Sequence, residues 1–375
     1  MKAAAVQMTS TRDVAANLRE AGRLVAEAAS QGAELVVLPE NFSFLGATDA
    51  DRVAAVEPLG DGPAQHFLAE TARRHGLFIV GGTIPIRDAG TRAGMPAVEQ
   101  CREQLPRDAR GRATQGAVAE QLPGAIADAS QRASSRSLLV GPDGEVAAYY
   151  DKIHLFDVDI PGRATTARDG GRAANAGSDL RPTARDGGSA ANAGEGMDAR
   201  GRATQARAGM PEVEQRREQL PGAVAGSDLR PERYSESATT LAGTRVVAAA
   251  TPHARIGMTV CYDIRFPALF HRLSVLGTDV LVVPAAFTVP TGEVHWRPLL
   301  EARAIESLAY VVAAGQWGEH DGGRKTYGHS LILGPWGELL AELPAGPGVV
   351  SADLDMIRLA ELRQRFPTVR HRREL

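Results

Sequence analysis

The chain has 375 residues, a formal net charge of −3 and a hydrophobic fraction of 43%. This composition supports a sizeable core, while the near-neutral charge gives no indication of a nucleic-acid partner or of binding to an anionic membrane. With two cysteines no disulfide framework is expected, and no apolar run approaches the ~20 residues of a membrane helix. We therefore expect a cytoplasmic protein.

Strand and helix patterns alternate over the first 80 residues. Residues 3–8, Glu34–Leu38 and Leu77–Val80 are apolar strand patterns. Between them, apolar residues recur at helical spacing over Val14–Ala28 and over Pro63–His75, where a proline and a following glycine are typical helix boundaries. This alternation predicts an α/β architecture.

Residues 89–134 and 163–232 differ in amino-acid composition from the rest of the chain. Neither stretch contains an aromatic residue, and both are rich in Ala, Gly, Arg, Asp and Pro. They also copy each other, since Arg92–Pro106 recurs with two changes as Arg207–Pro221. The copies have no fixed period, which argues against a solenoid. Such segments bury too little apolar surface to offset the entropy of ordering the chain, so we predict two disordered low-complexity insertions.

Strand and helix patterns return after the second insertion. They predict a helix at Glu293–Leu308 and strands at Thr244–Ala250, Ala254–Val260, Thr278–Pro284, Tyr310–Ala314, Gly328–Leu333 and Glu338–Glu342. Without the insertions ~260 residues remain, which is the size of one large domain. We therefore predict a single α/β domain over 1–375 that the insertions interrupt.

A polar residue follows each of three predicted strands. Glu40 and Lys152 follow two of them, and Cys261 follows a third, just before a helix pattern that opens with Pro267. Site residues gather at such strand ends in layered α/β folds. A carboxylate can take the proton of a thiol, the sulfur can attack a carbonyl carbon, and an ammonium can stabilise the resulting oxyanion. The three residues together favour acyl-transfer chemistry.

Each of these residues also has a structural interpretation. Cys261 could be a buried core thiol, Glu40 an exposed or helix-capping carboxylate, and Lys152 a solvated lysine. Other chemistries lack their sequence signals. There is no HExxH or CxxC segment for a metal and no GxGxxG after a strand, and a papain-type Cys-Gly-Ser-Cys segment is absent. No metal and no cofactor are therefore expected.

Three segments resemble the signature segments of the nitrilase superfamily, the carbon–nitrogen hydrolases: Pro39-Glu40, Tyr150–Pro161 and Cys261–Pro267. The resemblance implies a four-layer α-β-β-α sandwich that assembles as a homodimer or higher homo-oligomer. It also implies that the glutamate, lysine and cysteine of these segments act as general base, electrostatic stabiliser and nucleophile.

A second glutamate of the family lies a few residues beyond the lysine segment. Without the insertion, Pro161-Gly162 would continue almost directly into Arg233–Ser237, and Glu236 then matches that position. The resemblance implies that Glu236 orients Lys152 or the substrate amide.

Segments downstream of Cys261 resemble the deaminated-glutathione amidase branch and its near relative, ω-amidase. They are Pro284–Thr288, Ala302–Glu306, Tyr327–Ser330 and Pro335–Gly337, while Gln316–His320 and His371–Arg373 favour the first of the two. By the same resemblance the substrate is bound by Tyr262, whose backbone N–H would hold the oxyanion, and by Arg265, Phe287 and Thr291.

Two of these side chains have alternatives. The resemblance implies that Arg265 reaches a substrate carboxylate, but an ion pair with Asp263 or Glu306 would give it a structural role instead. Core packing is the alternative for Phe287, and for Trp296 it is the interpretation that we favour.

The implied activity is hydrolysis of a small-molecule amide through a Cys261 thioester, without a nucleic-acid or membrane partner. The implied substrate is deaminated glutathione, the α-keto amide formed when glutathione loses its α-amino group, and the products are 2-oxoglutarate and Cys-Gly. An ω-amidase or another small-amide hydrolase is the alternative enzyme. A catalytically inactive oligomeric scaffold is the alternative of another class.

Overall fold

The computed structural model describes residues 1–87, 132–160 and 232–373. It divides into two units, Met1–Asp159 with Arg233–Leu375, and Ile160–Glu232. Nearly all of both predicted insertions lies outside the described residues, and so does Cys101. A strand that starts at Ala133 ends the first insertion before the predicted boundary at 134. The first residues of this strand are polar, so the sequence does not indicate a strand there. In the structure they pair with a neighbouring strand and are largely buried.

The strands of the described ranges are, in chain order, β1 (Lys2–Gln7), β2 (Leu35–Val37), β3 (Glu57–Pro58), β4 (Phe78–Val80), β5 (Ile84–Arg87), β6 (Ala133–Val140), β7 (Val146–Asp151), β8 (Asp157–Ile160), β9 (Glu232–Ser235), β10 (Thr240–Leu241), β11 (Ala248–Ala250), β12 (Arg255–Met258), β13 (Val280–Ala285), β14 (Tyr310–Gly315), β15 (Trp317–Glu319), β16 (Lys325–Tyr327), β17 (Ser330–Leu333), β18 (Leu339–Leu343) and β19 (Gly348–Asp353). The helices are α1 (Val14–Ser30), α2 (Asp49–Ala54), α3 (Pro63–His75), α4 (Pro267–Val275), α5 (Val289–Thr291), α6 (Arg297–Ser307), α7 (Met356–Arg365) and α8 (Thr368–His371).

Two sheets form the centre of the fold. The first has nine strands in the order β19-β1-β2-β4-β6-β5-β3, with β7 and β10 also paired to β6. The second has six strands in the order β11-β12-β13-β14-β17-β18. Two further pairs, β15 with β16 and β8 with β9, lie outside them.

Strand β1 shows how the layers are built. Its side chains alternate between the two faces of the sheet, as in any strand. Ala3 and Ala5 belong to the core that the second sheet also fills, whereas Ala4 and Val6 belong to the core under α1 and α3. Helices α4 and α6 pack on the second sheet. The order helix, sheet, sheet, helix confirms the predicted four-layer sandwich.

Local boundary signals decided how well single elements were predicted. The helix predicted at Pro63–His75 is confirmed residue for residue, with Gly76 at φ 65° after its last turn. The helix predicted at Glu293–Leu308 is less regular, because a π-turn at Gly292–Trp296 precedes α6. None of the helices in the described ranges is both long and apolar enough to cross a membrane.

Candidate active site

One ammonium group lies between two carboxylates at the centre of the site. Lys152 Nζ is 2.9 Å from Glu40 Oε1 and 2.7 Å from Glu236 Oε2. The exposed fraction of the side chain is 2% for Lys152, 5% for Glu40 and 11% for Glu236. Buried charges are stable only when they are paired, so each of the three groups depends on the others. The solvated-lysine and exposed-carboxylate interpretations are therefore wrong.

Lys152 and Glu236 hold each other in their ionised forms. Burial alone would lower the pKa of Lys152, but the carboxylates of Glu236 and Glu40 outweigh it and raise that pKa well above its ordinary value. Burial alone would raise the pKa of Glu236, yet the charges of Lys152 and Arg52 lower it. Lys152 is therefore a cation and Glu236 an anion at neutral pH.

Glu40 is held where the two sheets meet. It follows β2 closely, and its backbone carbonyl accepts a hydrogen bond of 3.0 Å from Nε2 of Gln316. Gln316 directly follows β14 of the second sheet and is fully buried. The next residue, Asn41, has φ 59°, a conformation that asparagine tolerates better than most residues. This turn fixes the direction of the Glu40 carboxylate.

Cys261 stands on a strained turn between β12 and α4. Its φ of 48° is unusual for a residue with a side chain, and a 3₁₀ helix, Cys261–Arg265, leads from it into α4. Burial and the nearby Glu40 carboxylate raise the pKa of the thiol well above its ordinary value, although Lys152 and the Ala286 backbone N–H act in the opposite direction. The resting thiol is therefore protonated, in the same pocket as Glu40.

Asp263 joins the lysine segment to the cysteine turn. This fully buried carboxylate accepts hydrogen bonds from the Tyr150 hydroxyl (2.8 Å), the Val260 N–H (2.9 Å) and the His154 N–H (3.1 Å). The Nδ1 atom of His154 is also 2.7 Å from it. Tyr150 and His154 flank Lys152, while Val260 precedes Cys261. One carboxylate thus sets the distance between the ammonium and the thiol.

The four residues with predicted catalytic roles line one open pocket of about 450 Å³. The predicted substrate-binding residues line it too: Tyr262, Arg265, Phe287 and Thr291. All eight residues are therefore brought together from separate parts of the chain. Trp296, by contrast, is 1% exposed and donates to the His329 carbonyl, which agrees with the core role favoured for it.

The ion pairs considered for Arg265 do not form. Asp263 is occupied by the donors named above, and Glu306 pairs with Arg303 Nη1 at 2.8 Å. Arg265 instead has Nη1 at 3.2 Å from His295 Nδ1. Its guanidinium therefore faces the pocket without a carboxylate partner among the described residues.

Comparison with known proteins identifies the chain. The sequence profile of the carbon–nitrogen hydrolase family matches residues 2–98 and 206–364. The chain belongs to the carbon–nitrogen hydrolase family. It is thus a hydrolase of carbon–nitrogen bonds other than peptide bonds. The matched ranges leave out Lys152, so its place in the site rests on its own contacts.

Individual relatives place this carbon–nitrogen hydrolase in the deaminated-glutathione amidase branch of the nitrilase superfamily. Deaminated glutathione amidase of Synechocystis is 32% identical over 99% of this chain and 97% of its own length. The ω-amidase of Danio rerio is 27% identical over 99% of this chain and 94% of its own. The crystal structure of the C. elegans NitFhit protein aligns with a TM-score of 0.63 and 26% identity. That alignment covers 99% of this chain, which spans 65% of the NitFhit chain.

Sequence reasoning missed several residues of this carbon–nitrogen hydrolase. Asp263 was considered only as a partner of Arg265, and the supporting role of Gln316 was not considered. Arg52 and Arg324, which also line the pocket, lie on α2 and on the loop between β15 and β16. No spacing rule connects such distant loops to the cysteine turn. The sequence offers one signal for Asp263. It is a single acidic residue within the Cys261–Arg265 turn, where buried backbone N–H groups need a hydrogen-bond acceptor.

Proposed function

We propose that this carbon–nitrogen hydrolase cleaves deaminated glutathione into 2-oxoglutarate and Cys-Gly through a thioester on Cys261. The observation that carries the proposal is the Lys152 ammonium held by two buried glutamates beside a protonated thiol. This arrangement supplies a nucleophile, a base and a fixed positive charge, and acyl transfer needs all three. The proposed substrate rests on the relatives and on the guanidinium of Arg265, which has no carboxylate partner among the described residues.

In the first half of the reaction, Glu40 takes the thiol proton as the sulfur attacks the amide carbon. An ammonium has three donors, of which Glu40 and Glu236 occupy two, so one proton of Lys152 remains for the oxyanion. The backbone N–H of Tyr262 would be the second donor. The protonated Glu40 then gives its proton to the departing amine nitrogen, the carbon–nitrogen bond breaks, and the thioester remains.

In the second half, Glu40 acts as a base again. It takes a proton from water as the water oxygen attacks the thioester carbon, and the same two donors hold the second oxyanion. Collapse of this intermediate expels the sulfur, which regains its proton from Glu40, and releases the acid. Glu236 acts throughout by orienting Lys152. No cofactor enters either half of this scheme.

A product assay tests the substrate. Purified protein is incubated with deaminated glutathione and, separately, with α-ketoglutaramate, and the release of 2-oxoglutarate is followed. We expect the higher kcat/KM with deaminated glutathione. A clear preference for α-ketoglutaramate would assign the enzyme to ω-amidase, the second candidate, which the 27% identical Danio rerio relative favours.

A labelling experiment tests the third candidate, an inactive oligomeric scaffold. A catalytic Cys261 should react with a small thiol-directed amide reagent faster than an ordinary buried cysteine does, because Glu40 removes its proton during the attack. The Glu40→Gln variant serves as the comparison and should be labelled more slowly. Equal, slow labelling of both proteins would favour the scaffold.

We further propose that the chain works as one domain in a homodimer or larger homo-oligomer in the cytoplasm. The support is the resemblance noted in the sequence. Sedimentation of the purified protein would test the assembly, and a monomer with full activity would contradict it.

A further inference from the structure

Two guanidinium groups line the pocket without a carboxylate partner among the described residues. Arg265 lies over aromatic rings, 5.3 Å from the ring centre of Phe287 and 5.7 Å from that of Tyr262. Arg324 lies over the ring of Tyr234 at 5.3 Å, and its Nη2 donates to the carbonyl of Ala286 at 3.0 Å. Aromatic faces and a carbonyl orient a guanidinium but leave its charge unneutralised.

The other charged side chains of the pocket already have partners of opposite charge. Lys152 lies between two glutamates, and Arg52 is 3.9 Å from Glu236. Asp321 accepts from the backbone N–H of Arg12 at 2.7 Å, and the side chain of Arg12 is 3.5 Å from it. The surplus charge of the pocket is therefore positive, and it is located at Arg265 and Arg324.

Arg324 lines the same pocket as the reacting cysteine. Among the described residues its Nε is buried and lacks a hydrogen-bond partner, which adds to the cost of a guanidinium without a carboxylate. Ala286, which accepts from Arg324, directly follows β13, and Cys261 follows the paired parallel strand β12. An anionic group bound by Arg324 would therefore occupy the same pocket as the amide that Cys261 attacks.

The proposed substrate carries two anionic groups. Deaminated glutathione has one carboxylate on its 2-oxo acid end and a second on its glycine, with the scissile amide between them. α-Ketoglutaramate has only the first. Two unneutralised guanidiniums beside one nucleophile match the molecule with two carboxylates, because an arginine fork suits a carboxylate geometrically.

We propose that Arg324 binds the glycine carboxylate of the departing Cys-Gly, while Arg265 binds the carboxylate of the 2-oxo acid. This inference rests on the proposed function and extends it, since Arg324 would distinguish a dipeptide amide from a simple amide. Selectivity within the branch then depends on a residue of the β15–β16 loop rather than on the catalytic groups.

The test combines a change in the enzyme with a change in the substrate. Arg324→Met and the wild type are each assayed with deaminated glutathione, with its analogue in which glycinamide replaces glycine, and with α-ketoglutaramate. We expect the wild type to prefer the carboxylate over the carboxamide by about ten- to a hundredfold in kcat/KM, the range for a charged hydrogen bond. Arg324→Met should lose that preference. Lys325→Met, which removes an exposed neighbouring charge paired with Glu319, should keep it.

Each result has a distinct meaning. If Arg324→Met slows both substrates equally, Arg324 only supports Ala286 and the subsite is wrong. If the variant loses as much activity with α-ketoglutaramate as with deaminated glutathione, the assignment is also wrong. A wild-type enzyme that hydrolyses none of the three amides contradicts the proposed function itself. Turnover without any carboxylate preference contradicts only the Arg324 subsite.

Discussion

The active site has two parts that are held in different ways. Glu40, Lys152 and Cys261 each stand just beyond a strand of one of the two packed sheets, β2, β7 and β12. Glu236 instead begins a short 3₁₀ helix, Glu236–Ala238, next to the four-residue strand β9. The first three positions are therefore set by the core, and the fourth is set by local contacts.

The contacts of the two parts differ in the same way. The Lys152 and Cys261 segments are joined by Asp263, which accepts from backbone and side-chain donors of both. The carboxylate of Glu236 is held by Lys152 and by the backbone N–H of Phe156 at 2.9 Å. If Lys152 changed, Glu236 would lose its strongest partner, whereas the cysteine turn would keep Asp263. We infer that packing of the sheets preorganises Glu40, Lys152 and Cys261, whereas the position of Glu236 depends on Lys152.

The largest expected effect comes from the nucleophile. Cys261→Ala should abolish amide hydrolysis, because no other group in the pocket is proposed to form the thioester. Its thermal unfolding should stay close to that of the wild type, since Ala fits the same small volume. Turnover assays and circular dichroism check both points. Cys101→Ala is the control and should be fully active; a comparable loss in both variants would contradict the mechanism.

The next largest effect should come from the shared ammonium. Lys152→Met should lower kcat by about 10²–10³, the usual cost of removing one oxyanion donor. It should also lower the melting temperature, because a buried pair that loses one partner costs about 3–5 kcal/mol. Steady-state kinetics separates the roles, since a donor to the oxyanion acts on kcat. A change confined to KM would make Lys152 a substrate-binding residue instead.

Glu236 should have a smaller effect, one that depends on pH. The pKa of Glu236 is lowered in the folded protein. Its stabilisation is therefore present above the unfolded value near 4.3 and disappears as the pH falls through the folded value. Glu236→Gln should lower the melting temperature at neutral pH, by the equivalent of about 1.5–3 kcal/mol for a charged hydrogen bond.

Thermal unfolding of both proteins from neutral to acid pH checks this prediction. The difference in melting temperature between wild type and Glu236→Gln should close in acid. Glu20→Gln is the matched control, because Arg23 also lowers the pKa of Glu20 but that pair lies on the surface; surface pairs contribute little. A difference that is independent of pH would show that the charge of Glu236 does not carry its role.

The same division explains what the sequence could predict. Helix α3 was predicted with both ends because Pro63 and Gly76 are local signals, and the strand-end positions of Glu40, Lys152 and Cys261 follow from short apolar runs. Strand β19 and the role of Asp263 were not predicted. Their partners are distant in the chain: Lys2 pairs with Asp353, and Tyr150 is 113 residues from Asp263. Local patterns cannot reveal contacts that exist only after the sheets have formed.

The smallest expected effect on activity comes from the segment between β8 and β9, the strand pair that immediately precedes Glu236. Strands β8 and β9 pair with each other, so the chain leaves this short ladder at 160 and returns to it at 232. A few glycines could close the same ladder. We therefore predict that a variant without residues 163–231 folds and keeps full activity, with Glu236 still hydrogen-bonded to Lys152.

Deletion should also stabilise the fold. Loop closure costs about 0.6 kcal/mol for each doubling of length, and roughly five doublings separate a two-residue loop from this one, which gives about 3 kcal/mol. At about 2–4 °C per kcal/mol, the melting temperature should rise by about 6–12 °C. Replacing 163–231 with a Gly/Ser segment of equal length is the matched control and should change little, because the cost depends on length rather than on sequence.

If the shortened protein fails to fold, or if the Gly/Ser variant loses activity, the segment contributes structure to the Glu236 side of the site. The position of Glu236 would then depend on residues 163–231 as well as on Lys152, and not on local contacts alone.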